Sequence, residues 1–227
     1  MGYNSADKTD KQYVSVGVGF ANVGDEGAFT LGQVVPKEGC WNSGSETLQV
    51  LRDSNASVSI AYVYYGAWED AEEDEIGWWD YDFNDMYNDA EFPVGTAFLG
   101  NFAEKDVEFQ QSGSVLMGGT TLDYIGKQYV MFGNILPKEI KLGDIKPFEG
   151  CWNSGSDTLQ VLRDSNASVS IAYVYYGEWE DAEEDEIGWW DYDFNDMYND
   201  LPVNPGDAWL GNFAEKDVKL AFPGALD

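Results

Sequence analysis

Residues 40–89 and 151–200 are one fifty-residue segment written twice, differing only at Glu46/Asp157 and Ala67/Glu178. Whatever fold the first copy adopts, the second must adopt too. The offset of 111 residues persists through Gly95/Gly206 and through the run from Leu99 to Val107, repeated from Leu210 to Val218, so the duplication covers almost the whole chain of 227 residues. Two modules are expected, 1–118 and 119–227, each long enough to bury its own hydrophobic core. Ser-Gly-Ser and Met-Gly-Gly-Thr-Thr loosen the composition across 113–122, which places the boundary there. A linker that short predicts modules that touch.

Within a module the local pattern is β almost throughout. Residues 47–53 and 57–65 alternate apolar and polar side chains and are rich in β-branched and aromatic types, on either side of the turn-forming Ser54-Asn55-Ala56. That is a β-hairpin, repeated around Ser165-Asn166-Ala167. Strands are also expected at 13–20, 28–34, 96–102 and 105–109, with 128–134 and 140–145 as second-module counterparts. No helical stripe exceeds two turns. Short strands punctuated by Gly, Pro, Asn and Asp predict an all-β fold of two tandem antiparallel β-sandwich or barrel modules.

Charge excludes several partners. The chain carries 42 acidic and 12 basic residues, a net charge of −30. Such a surface repels phosphate backbones and anionic lipid heads, which argues against nucleic acid and membrane surfaces. No apolar run approaches the ~20 residues that cross a bilayer, so no membrane insertion is expected. Aromatic residues at 15 % nonetheless place the chain far from the composition of disorder. Enzymatic chemistry finds little support: there is no histidine, and no phosphate-binding glycine loop, nucleophile elbow or paired-cysteine zinc motif appears. The protein is expected not to be an enzyme.

Each module has one cysteine, Cys40 and Cys151. They can pair only if the modules meet near a twofold axis there, since a disulfide needs Cα atoms within ~4.4–6.8 Å; otherwise each is a small buried hydrophobe in a Gly-Cys-Trp turn. Asn55-Ala-Ser57 and Asn166-Ala-Ser168 fit the N-glycosylation pattern. Tripeptides this short arise by chance.

The order of signals carries a resemblance. A first strand ends in Gly-Phe, a Leu-Gly-Asp-Ile-like strand follows, then Trp-x-x-Gly-Ser-[Glu/Asp]-Thr-Leu-Gln-Val-Leu, a Tyr-rich strand, Gly-Trp-x-Asp, Asn-Asp and Pro-x-Gly-x-Ala-[Phe/Trp]-Leu. This resembles tandem modules of secreted bacterial surface proteins, commonest in verrucomicrobial and related genomes, across essentially both copies. The resemblance implies an extracellular, cell-surface location, with a signal peptide removed ahead of Met1. It supplies no active site.

Two local constellations could bind something. Asp80, Asp82, Asn84 and Asp85 form a D-x-D-x-N-D series, matched by Asp191, Asp193, Asn195 and Asp196. Oxygen ligands in that spacing suggest calcium, although Asp85 stands where an EF-hand loop needs Gly. In the competing reading the stretch is an aromatic strand with Trp79, Tyr81 and Phe83 inward and the acids outward. Same-face carboxylates would then stand ~6.6–7 Å apart, too far to share one ion. Trp68, Trp78 and Trp79, with Trp179, Trp189 and Trp190 in the second copy, gather with Tyr65, Tyr81 and Tyr87 around the acidic run 69–75. Planar rings beside carboxylates could stack a glycan; the competing reading is core packing.

These observations point to a self-assembling subunit of an extracellular filament, sheath or layer. In this reading head-to-tail homo-oligomers repeat the module-to-module contact between chains, provided that contact is not a closed twofold. A terminal segment such as 219–222 could add as a strand to a neighbour's sheet edge. The alternative is a monomeric glycan-binding or adhesion module with an aromatic-lined site.

Overall fold

The structure, a computed structural model, describes residues 2–8 (backbone only), 13–21, 27–52, 54–103, 107–163, 168–214 and 217–226. Among the described residues it is all-β: no helix reaches seven residues, and the strands lie in several antiparallel sheets, none of which closes on itself.

The first repeat supplies ten strands: β1 (Gly2–Lys8), β2 (Tyr13–Gly17), β3 (Ala28–Thr30), β4 (Val34–Pro36), β5 (Thr47–Leu51), β6 (Val58–Tyr65), β7 (Gly77–Asp80), β8 (Glu91–Pro93), β9 (Ala97–Asn101) and β10 (Val107–Gly113). The second supplies β11 (Thr120–Tyr124), β12 (Tyr129–Gly133), β13 (Ile140–Lys141), β14 (Lys146–Pro147), β15 (Thr158–Leu162), β16 (Val169–Tyr176), β17 (Gly188–Asp191), β18 (Pro202–Val203), β19 (Ala208–Asn212) and β20 (Val218–Phe222). Their pairing is the same in both. A five-stranded sheet runs β2-β9-β5-β6-β7, a three-stranded sheet β1-β10-β4, and β3 pairs β8; the second repeat gives β12-β19-β15-β16-β17, β11-β20-β14 and β13-β18.

The β5–β6 hairpin forms where the alternation predicts it. Asn55 Oδ1 accepts from the Ser57 amide and hydroxyl, and Ala56 takes a left-handed φ of +52° to close the turn. The equivalent turn at 165–167 lies outside the described residues. Residues 31–33 and 142–144, expected as strand, are instead single 3-10 turns between short strands. In both, the side chain of the third residue, Gln33 or Asp144, accepts from the backbone amide of the residue preceding the turn, Thr30 or Lys141. That local bond outcompetes ladder pairing.

Each core draws side chains from all the sheets of its repeat. In the first, Val14, Val16, Phe98, Leu48, Tyr62 and Tyr64 of the five-stranded sheet meet Val107, Phe109 and Val34 of the three-stranded one. Two indoles anchor it. Trp41 and Trp78 are fully buried, edge to face at 5.3 Å, and donate to the carbonyls of Tyr64 and Val34 at 3.0 and 2.7 Å. Trp152 and Trp189 reproduce this at 5.2 Å, donating to Tyr175 and Ile145. A buried indole keeps its area out of water only cheaply if its N–H is satisfied, and these carbonyls do that.

The opposite face of each five-stranded sheet splits in two. Along β2, β9 and β5 it is covered by the other repeat, with Ala97, Leu99, Met131, Leu162 and Leu210 buried together and Tyr13, Leu51 and Tyr129 packed on them. The contact is reciprocal. Gly17 donates to the carbonyl of Gly206, and its counterpart Gly133 donates to Gly95. A Cβ on Gly133 would fall 2.9 Å from Gly17 Cα, so only glycine permits this approach. The two repeats therefore meet across an approximate twofold, not by translation.

Two terminal segments are already committed. Strand β20, which contains 219–222, is central in its sheet, with β11 on one side and β14 on the other. It has no free edge to offer a neighbour. Gly2–Lys8 likewise pairs with β10 along its length. Cys40 and Cys151 are free, half-buried thiols.

Candidate functional site

The uncovered half of the five-stranded face, along β6 and β7, carries the aromatic and acidic residues singled out above. The alternation of 79–85 does not continue as a strand: β7 ends at Asp80, and the chain folds back so that Met86 bridges Trp79. One side chain causes the reversal. Asp80 Oδ1 accepts from the Asn84 amide at 2.7 Å, while the Asp80 carbonyl accepts from the Phe83 amide at 3.0 Å. Phe83 is thereby held at φ +54°, a left-handed conformation that bulky residues avoid.

The consequence is an outward-facing ring. Tyr81 is 63 % exposed and Phe83 44 %, where the alternating pattern would have turned both inward. Phe83 lies edge-on to Tyr65 at 6.1 Å and tilted against Trp79 at 6.4 Å. Trp79 is fixed by its N–H, which donates to the Glu75 carbonyl at 2.9 Å. The second repeat matches in every part: Phe194 at φ +56°, Tyr176 at 6.0 Å, Trp190 at 6.4 Å, and Asp191 Oδ1 accepting from Asn195 at 2.7 Å.

Around this pad the sequence from 69 to 91 holds eleven acidic residues and no Lys or Arg. Glu72–Glu75 are exposed. Glu69 is structural: its carboxylate accepts from the Ser43 amide and hydroxyl at 2.9 and 3.1 Å, tying the short 3-10 turn Ala67–Glu69 to the turn after Trp41.

The six tryptophans at 68, 78, 79, 179, 189 and 190 divide by role. Trp78 and Trp189 are core and present no surface. Trp68 and Trp179 stack on Tyr64 and Tyr175 at 5.8 and 5.9 Å, with indole N–H groups buried and unpartnered. Trp79 and Trp190 belong to the exposed pad. Phe83 and Phe194 are the exposed members that an alternating strand would have turned inward; the Asn-Asp pair after them is the turn signal that marks the reversal.

The acids of the calcium series do not converge. The Asp80 and Asp191 carboxylates are engaged by backbone amides within their own turns. Asp82, Asn84 and Asp85, like Asp193, Asn195 and Asp196, are exposed. Among the described residues no three His, Cys, Asp or Glu side chains come together as a metal site.

No family model, curated protein or solved structure matches this chain.

Proposed function

We propose that this is an extracellular binding or adhesion protein that presents two equal aromatic–carboxylate pads to neutral glycans. The observation that carries the reading is the outward Tyr65–Phe83–Trp79 cluster, rebuilt at Tyr176–Phe194–Trp190 by the same strained turn. Exposed aromatic faces stack on the C–H faces of sugar rings, and neighbouring carboxylates accept from hydroxyls. The net charge disfavours acidic polysaccharides. Each repeat serves as a β-sandwich scaffold that leaves the pad uncovered, and the resemblance to secreted surface proteins supports the extracellular setting.

Titration with a panel of neutral and acidic oligosaccharides, read by tryptophan fluorescence, tests the proposal. Saturable quenching by neutral sugars that disappears in Trp79→Ala/Trp190→Ala is expected. A flat response across the panel would sink it.

A second reading, the self-assembling subunit, rests on a different observation. Strand β7 pairs only Tyr62–Tyr65 of β6, so Val58, Ser59, Ile60 and Ala61 have no strand on that side among the described residues. Val58 and Ile60 are 42 % and 38 % exposed, and the stretch is uncharged. The same sequence begins β16. Two like edges related by an internal twofold would join neighbours into an open row, each joint being self-complementary. Sedimentation velocity separates the readings: a monomer at all concentrations removes assembly, and a polymer abolished by Ile60→Lys/Ile171→Lys removes the solitary adhesin.

A further inference from the structure

Each pad shares its face with the seam. In the first repeat Leu99, buried against the other repeat, pairs with Gln49, and Gln49 pairs with Ala61. Two residues further along β6, Val63 pairs with Trp79 of the pad. Cross-strand partners, and every second residue of a strand, project to one face, so Leu99 and Trp79 stand on the same side of the five-stranded sheet. Leu210, Gln160, Ala172, Val174 and Trp190 repeat the path in the second repeat. Tyr62 and Tyr64, like Tyr173 and Tyr175, point the other way, into the cores.

The direction of each pad follows from this. At the seam the two faces are pressed together, Ala97 and Leu99 of one buried with Met131 and Leu210 of the other. Faces in that relation look in opposite directions. The pads lie beyond the overlap, on β6–β7 and β16–β17. Twist turns each strand about 20–25° from its neighbour, so the two steps from β5 to β7 tilt a pad by roughly 40–50° and do not carry it round to the other's side.

We propose that the protein bridges two separate neutral polysaccharide chains, one on each pad, and cross-links them as a monomer. The inference rests on the glycan reading of the pads. Opposed pads cannot both lie on one flat surface, so the second site takes a second partner and does not tighten the grip on the first. The like make-up of the pads, Tyr65–Phe83–Trp79 and Tyr176–Phe194–Trp190, gives both ends one preference, as a cross-linker of a single polymer requires. The net charge of −30 opposes an acidic polymer and keeps bridged protein molecules apart.

The test uses the full chain with dextran, galactomannan and mixed-linkage β-glucan, and with the short oligosaccharides cut from each. Calorimetry with the oligosaccharides of the polymer that binds should count two sites per chain. Turbidity with that polymer should pass through a maximum at an intermediate ratio, fall in excess protein or excess polymer, and clear when the oligosaccharide is added. Trp79→Ala and Trp190→Ala should each halve the stoichiometry, leave the remaining site's affinity within about twofold, and abolish the turbidity. Mixing the two variants should not restore it. Ile60→Lys/Ile171→Lys, which alters the exposed strand edge on the other face of β6 and β16, should cloud the polymer as the unaltered chain does, because bridging needs no joint between chains. If a tryptophan variant does not fold, Phe83→Gly or Phe194→Gly takes its place. Failure of every oligosaccharide to bind removes the glycan reading and the bridge together. Two filled sites in a clear polymer solution, turbidity that survives in a single-pad variant, or turbidity lost in Ile60→Lys/Ile171→Lys leaves the pads standing and overturns the bridge alone.

Discussion

The Gly17 amide donates to the Gly206 carbonyl at 3.0 Å, and the Gly133 amide returns the bond to Gly95 at 3.1 Å. This exchange between equivalent glycines places the seam of the molecule on β2 and β12. Bulk there should pry the repeats apart. A Cβ at Gly17 would sit 2.9 Å from the Asp207 carbonyl oxygen and 3.4 Å from Gly133 Cα. Gly17→Val and Gly133→Val should each lower stability by about 1–3 kcal/mol, the range for overpacking. Chemical denaturation measures the loss, and small-angle scattering should show a more extended particle. An unchanged profile for both variants would mean the seam contributes little.

The Asp80 turn should separate stability from recognition. Asp80→Ala removes the acceptor of the Asn84 amide and should cost about 1 kcal/mol, whereas Asp80→Asn keeps an acceptor and should cost less. Phe83→Gly relieves a left-handed residue, worth ~1 kcal/mol or more, and should leave the fold as stable or more so. Yet it deletes the outermost ring of the pad. Glycan titration and urea unfolding on the same variants check whether binding falls while stability holds.

Alkali should unfold the protein through its tyrosines. Burial, with Tyr87 nearby as a lesser cause, pushes Tyr62 up to about 12; burial alone raises Tyr64, and burial first, then a neighbouring group, raises Tyr173 and Tyr175. A raised value means the folded state holds these protons to higher pH than the unfolded chain, whose tyrosines release theirs near 10. The stability they contribute is complete below pH 10 and is lost as pH climbs from 10 towards 12. Absorbance of phenolate followed together with circular dichroism should show Tyr62, Tyr64, Tyr173 and Tyr175 ionising only with loss of the β signal.

Salt should stabilise. The acidic stretches 69–91 and 178–200 repel themselves, and physiological ionic strength shortens that repulsion to about 8 Å. Melting temperature should rise from low to physiological salt. Calcium and magnesium at equal ionic strength should act alike, because the described carboxylates do not gather around one ion. A rise specific to calcium would reveal a site that these side chains do not form.

Much of the framework was legible in the sequence because side-chain alternation and turn residues act locally. The β5–β6 hairpin and strands β2, β9 and β12 fall where the pattern puts them. Of the two readings of D-Y-D-F-N-D, the strand that turned Tyr81 and Phe83 inward fails; what overrides the alternation is a side-chain-to-backbone bond to Asp80, which periodicity does not register. The segment 219–222 was read as free to add to a neighbour because its partners β11 and β14 are distant in sequence. Gly17 and Gly133 fell inside the strands expected at 13–20 and 128–134, and nothing local marks a glycine as the place where two sheets touch.

Because the twofold seam lies within one polypeptide, the pairing of its halves is immune to dilution. Two separate chains meeting through so few residues would be at the mercy of their concentration, whereas here each half always finds the other at a high effective concentration. Covalent union also frees the partners from having to be copies. A homodimer encoded once must carry the same residue on both sides of its axis, but this chain has Ser15 in one half where the other has Met131, and Thr96 where the other has Asp207, so the halves specialise beside the seam while the rings they display outside stay alike.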